Sequence, residues 1–205
     1  MSERDSAFDA LKTLISLTDK DADPEAGANT LLNAQMSSSL AFELSAEDIG
    51  AQTKLSAAAC GAVDFVDELT RYILLEQMGK NPKLDRLEKM GSYFTALFKG
   101  RHVEYCYLAC LDESKRLTRC CRMGKGTINA AGVYVRSIAQ TAQISQAKYA
   151  ILAHNHPGGT LVPSSSDIEL TLMARDALAL TGIKLLEHII VTRSSYAGII
   201  GGGYL

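Results

Sequence analysis

Two of the chain's four histidines, His154 and His156, are separated by one residue and directly follow the apolar run YAILA. In an extended chain, residues i and i+2 project to one face about 6.6 Å apart at Cα, so both imidazoles can converge on one ion. Ser164 and Asp167 follow in the text HNHPGGTLVPSSSD. A carboxylate at Asp167 would add a hard oxygen as third protein ligand and leave a fourth position for water, the open arrangement that catalytic zinc uses.

Each part also has a plainer reading. A histidine pair at a strand end is often structural or solvent-exposed. Ser164-x-x-Asp167 is a capping-box pattern before the periodic run Ile168, Leu172, Leu178, and a helix start alone would explain it. The two readings are compatible, and neither packing nor capping would produce the whole spacing jointly. Other metal chemistries fit less well: a zinc deaminase needs H-x-E with P-C-x-x-C, and neither occurs in the sequence. The contiguous triplet H-N-H is weak support for a nuclease.

The elements that must position these residues can be read from periodicity. With 205 residues and about 150 residues per domain, one domain with an extension or two small ones fits. A composition of 47% hydrophobic and 21% charged residues excludes extended disorder and a collagen-like chain. No run of about 18 apolar residues occurs, and the first twenty residues lack a signal-peptide core, so the expectation is a soluble cytoplasmic protein without membrane contact. Five cysteines without a C-x-x-C pair fit reduced, buried thiols.

The front half reads as helix with breaks: Ser6 to Leu17, an Asp-rich loop over 19 to 25, and a long stretch from about Thr53 to Met78 that Gly79 and Pro82 stop. A helix over about 84 to 98 follows. Then VEYCYLACL at 103 to 111 reads as a buried strand, 117 to 123 as its hairpin partner, 132 to 147 as a crossover helix and 149 to 153 as a short buried strand. A helix over 167 to 180 and a strand over 187 to 192 complete the pattern. Strands alternating with helices predict an α/β fold, a mixed sheet covered on both faces as a three-layer sandwich, preceded by a small all-helical domain. The expected division is 1–79 helical domain, 80–96 linker and connecting helix, and 97–205 the α/β domain.

The pattern His154-x-His156-x7-Ser164-x2-Asp167 resembles the JAMM (MPN-plus) metalloprotease signature, and the wider text ILAHNHPGGTLVPSSSDIELT is similar to the RadC family. The likeness extends through Leu111-Asp112, Gly126-Thr127, Val135-Arg136 and TGIKLLEHIIV, about residues 97 to 200. This resemblance implies a JAMM or cytidine-deaminase-like sandwich, with Zn2+ bound by His154, His156 and Asp167. It also implies Glu104, in RHVEYCYLACLD, as general base, and Ser164 as hydrogen-bond donor to the oxyanion or the metal water. Chemistry independently wants such a carboxylate, because a zinc-bound water needs a nearby group to take its proton and pass it to the leaving amine. Glu104 would equally serve as an edge-strand surface charge. The chain has Gly158 where RadC-like chains usually have Ser, and Gly158 and Gly159 together are expected to turn the backbone tightly beside the metal. Asn155, on the opposite face from its neighbours, is expected to hold the loop. His188 is expected to be a packed, hydrogen-bonded strand histidine, and His102 an exposed one.

Two functions compete. One is a zinc-dependent hydrolase, a metallopeptidase or isopeptidase linked through the family to DNA repair and acting on a peptide or protein. The other is a catalytically weak binding module that recruits DNA or a repair protein. Residues 1 to 96 carry 9 cationic and 16 anionic side chains, a balance of −7, whereas residues 97 to 205 carry 12 and 7, or +5. RadC-like chains commonly begin with a helix-hairpin-helix DNA binder, but the expected Gly-x-Gly hairpin is not evident in EDIGAQTKLS, and the front half's charge opposes a phosphate backbone. A basic stretch of Lys99, Arg101, Lys115, Arg116, Arg119, Arg122 and Lys125 can meet an anionic partner or simply form a solvated strand face.

Overall fold

The computed structural model describes residues 2–34, 44–126 and 131–205; Thr127, one of the residues carrying the family resemblance, lies outside them. The chain divides into two compact units, Met1–Ile73 and Leu74–Leu205.

The first unit is helical: α1 (Glu3–Thr18), α2 (Pro24–Asn33), α3 (Ala46–Gln52) and most of α4 (Ala57–Gln77). Each of the first three begins at a side-chain cap. Ser2 and Asp5 form a capping box, Asp23 accepts from the amides of Glu25 and Ala26, and Ser45 accepts from Asp48. Leu11, Ile15, Leu31, Leu32, Ile49 and Val63 form their shared core. The sequence reading has a loop at 19 to 25 and no element between 25 and 53, so α2 and α3 are additions. Asp23-Pro24, which reads as loop punctuation, is an N-cap followed by proline at the first helical position.

The second unit holds β1 (Tyr105–Leu111), β2 (Leu117–Lys125), β3 (Tyr149–Asn155), β4 (Lys184–Val191) and β5 (Tyr196–Gly198), with α5 (Leu87–Phe98), α6 (Ala131–Ile144) and α7 (Ser165–Ala179). The five strands form one mixed sheet in the order β2-β1-β3-β4-β5. Only the β3–β4 pair is parallel, because α7 carries the chain back between them; the other neighbours are antiparallel. β1 and β3 lie inside the sheet with both faces covered, which is why YCYLACL and YAILA are nearly unbroken apolar text.

Alternation along these strands sorts the core into two layers. Cys106, Leu108, Cys110, Ala150 and Leu152 face Ile138 of α6 and Ala174 and Leu178 of α7. Ala109, Leu111, Ile151, Ala153, Ile189 and Val191 face Phe94 and Phe98 of α5. The result is the three-layer α/β sandwich the pattern calls for. α5 and the buried Leu84 before it belong to the core of this unit, and the preceding segment is fastened to the start of β2 by Leu84 N–H to Lys115 O and Leu117 N–H to Pro82 O, both 2.9 Å. β5 is three residues long and has no counterpart in the sequence reading.

Candidate metal centre

The sheet delivers His154 to the C-terminal end of β3, where Cys106 of β1 and Ile190 of β4 flank it. His156 N–H donates to Val191 O at 2.8 Å, so the chain stays extended one residue past the strand and both imidazoles keep to the α7 side. The chain then turns, with Gly159 N–H on His156 O at 3.0 Å. Gly159 has φ +86, a conformation that favours glycine. Gly158 does not: its φ is not positive, and a Cβ there would meet nothing within 4 Å. Both glycines take part in the turn, Gly158 inside it and Gly159 closing it, but only Gly159 needs glycine's conformation, and a serine at 158 would fit the backbone as it stands.

α7 opens at Ser164 with a full capping box, so the two readings of Ser164-x-x-Asp167 hold together. Asp167 Oδ2 accepts from Ser164 N at 2.8 Å and from Ser164 Oγ at 2.7 Å. Asp167 Oδ1 faces His154 Nε2 at 3.2 Å, Oδ2 lies 3.6 Å from His156 Nε2, and the two Nε2 atoms are 2.8 Å apart. Metal bonds of about 2.0 Å at the tetrahedral angle place ligand atoms about 3.3 Å apart. The three observed separations bracket that value, so His154, His156 and Asp167 can hold a metal ion.

Charge supports the same centre. Burial opposes ionisation of Asp167, but hydrogen bonds from His154 and His156, with Ser164 adding to them, hold its carboxyl far below the usual range. The hydrogen bond to Asp167 raises His156 above its ordinary value against the effect of burial, with smaller contributions from Thr160 O and from the charge of Glu104. His156 Nδ1 lies 2.9 Å from the carbonyl oxygen of Thr160, which fixes Nδ1 as a donor and turns Nε2 toward the site.

Glu104 immediately precedes β1 and is half-buried. Its carbonyl accepts from Gly126 N–H at 2.8 Å. It continues the alternation of Cys106 and Leu108 toward α7, and Cys106 is the cross-strand partner of His154. Asn155 ties this segment to β3 from the opposite face. Its Oδ1 accepts from Tyr105 N at 2.7 Å, and its Nδ2 donates to Val103 O at 3.0 Å and Arg101 O at 3.2 Å. One buried amide therefore sets where Glu104 sits relative to its sequence neighbours His154 and His156.

His188 is buried and hydrogen-bonded, with Nε2 2.8 Å from His154 Nδ1 and Nδ1 2.6 Å from Thr171 Oγ1. Burial first, and then the neighbouring His154, push it well below the ordinary histidine range. Sequence reading passes over Thr171, whose only signal is its place one helical turn beyond Asp167. His102, expected at the surface, is half-buried. Beside Glu104, Arg101, Lys125 and Arg122 stand 4.9, 5.7 and 6.0 Å from the centre of the Tyr105 ring.

A mixed sheet between helical layers, with two histidines from a strand end and an aspartate from the next helix, is the arrangement of a JAB-type domain. The chain belongs to the RadC-like JAB domain family, whose profile matches residues 84–203. It is 35% identical over 150 residues to a UPF0758 protein of Bordetella parapertussis, covering 73% of this chain and 66% of that one. A UPF0758 protein of Janthinobacterium sp. (strain Marseille) is 32% identical over 178 residues, 87% of this chain and 80% of the relative. One from Aliivibrio fischeri is 34% identical over 137 residues, 67% and 61%. Among the described residues no helix is long and apolar enough to cross a membrane.

Proposed function

We propose that the chain is a zinc-dependent hydrolase of the JAMM type that cuts an amide or isopeptide bond in a peptide or protein. The observation that carries this reading is the triangle of His154, His156 and Asp167 donor atoms at near-tetrahedral spacing. Zinc held there would supply Lewis acidity and a water acidic enough to ionise near neutral pH. The three residues hold the ion, and Glu104, whose charge is felt at His156, takes the proton that water loses on adding to the carbonyl carbon. Glu104 then delivers that proton to the departing nitrogen as the C–N bond breaks, so the carboxylate is regenerated and one water is consumed. Ser164 donates its hydroxyl to the developing oxyanion. In the resting site that proton is committed to Asp167 Oδ2, so catalysis exchanges this bond while Ser164 N–H continues to hold the carboxylate.

A partner-binding role draws support from a different observation: Arg119, Arg122 and Lys125 are exposed along the edge strand β2. Contact with DNA or a repair protein would use this edge. Five free cysteines support a reducing, cytoplasmic setting.

Glu104→Gln separates the two roles. Assayed on peptide and isopeptide substrates with the zinc-loaded chain, it is expected to abolish turnover while leaving zinc content intact. Turnover unchanged by the substitution would refute the assignment of Glu104, and no turnover in the zinc-loaded parent would favour the binding role.

A further inference from the structure

The buried polar groups behind the donor triangle form a continuous hydrogen-bonded path. His154 Nδ1 lies 2.8 Å from His188 Nε2, His188 Nδ1 lies 2.6 Å from Thr171 Oγ1, and Thr171 Oγ1 lies 2.5 Å from the carbonyl oxygen of Asp167. His188 and Thr171 are both 0% exposed, so no water competes for these bonds.

The order of protons along the path is forced from its far end. A carbonyl oxygen only accepts, so Thr171 commits its one hydroxyl proton to Asp167 and has only lone pairs to offer His188. His188 must then carry its proton on Nδ1. Glu187, its carboxylate neighbour in sequence, accepts instead from the backbone amides of His188, Ile200 and Gly201. Nε2 of His188 is left to pair with Nδ1 of His154. His154 therefore spends Nδ1 on His188 and presents Nε2 to His156 and Asp167.

We propose that His188 and Thr171 are positioning residues that hold the His154 ring by Nδ1, with Nε2 toward the site, and tie it to Asp167, so that a ligand on β3 and a ligand on α7 are held as one piece by β4. The proposal rests on reading His154, His156 and Asp167 as a metal site. Its physical content is that the ring arrives with Nε2 turned to the site and at its distance from the carboxylate, before any metal binds. Partners of this kind change metal affinity by about 10- to 100-fold when removed.

Two measurements on the full chain test it. In the metal-free protein, long-range 1H–15N correlation of the imidazoles is expected to show a proton on His188 Nδ1. A His188 ring with Nδ1 unprotonated overturns the relay. Zinc affinity by chelator competition is expected to fall about 10- to 100-fold in Thr171→Val, which keeps the shape and removes the hydroxyl, and to return in Thr171→Ser. Parental affinity in Thr171→Val also overturns it. If the parent chain takes no zinc, the metal reading fails, and the ring spectrum alone decides the relay.

Discussion

Asn155 stands between His154 and His156 and makes three hydrogen bonds to the segment that carries Glu104, so Asn155→Ala tests whether the site is assembled as described. The substitution leaves Tyr105 N–H and the carbonyls of Arg101 and Val103 to find other partners. A buried group left unpaired costs about 1–3 kcal/mol. Tyr105 is buried, whereas Val103 is exposed and water can reach its neighbourhood, so only part of that cost falls on the carbonyls. A loss of about 3 kcal/mol follows when each group is taken near the low end of the range. Asn155→Asp keeps the acceptor for Tyr105 but turns an anion toward two carbonyl oxygens, and is expected to destabilise at least as much at neutral pH. The chain has no tryptophan, so the assay is hydrogen exchange across β1 and β3 with urea denaturation followed by circular dichroism. Both variants are expected to keep zinc, since His154, His156 and Asp167 remain. Turnover is expected to drop about 100-fold, the scale of effect that a 1 Å misplacement produces. An alanine variant within about 0.5 kcal/mol of the parent, with unchanged protection at Tyr105 N–H, would refute the clamp.

Further outcomes follow from the same geometry. Zinc affinity is expected to fall as pH drops through the raised value of His156, above 6.5, because the metal needs the neutral ring and protons compete for it; titration calorimetry between pH 6 and 8 reads this, and a flat profile contradicts it. Burial pushes the thiols of Cys106 and Cys120 up to about 12, so the thiolate fraction at pH 8 is about one in ten thousand. Iodoacetamide is therefore expected to label them only after unfolding, as mass spectrometry of tryptic peptides can show. Gly91→Ala places a methyl group inside the ring of Tyr196, and is expected to shift β5 and lower the denaturation midpoint. Ser164→Ala removes the cap of α7, and is expected to lower stability by about 1 kcal/mol while zinc is retained.

Much of the centre was legible because its parts are local. His154 and His156 share a face by strand alternation alone, and Ser164 with Asp167 announces a helix start whatever else it does. Asn155 follows from the same alternation. The relay through His188 was not legible, because it depends on β4 lying parallel beside β3 and on the turn of α7 that sets Thr171 against it. α2 and α3 were missed because their starts are written in Asp, Pro and Ser, residues that cap helices and make loops equally well. β5 is too short to show a period, and pairs only because β4 offers it an edge.

The central claim is that His154, His156 and Asp167 bind one metal ion. Elemental analysis of the purified chain, prepared without chelator, beside the His154→Ala/His156→Ala variant addresses it most directly. About one zinc per chain, absent from the variant, is the result expected. No metal in the folded parent, even after zinc is added back and excess removed, would contradict the account.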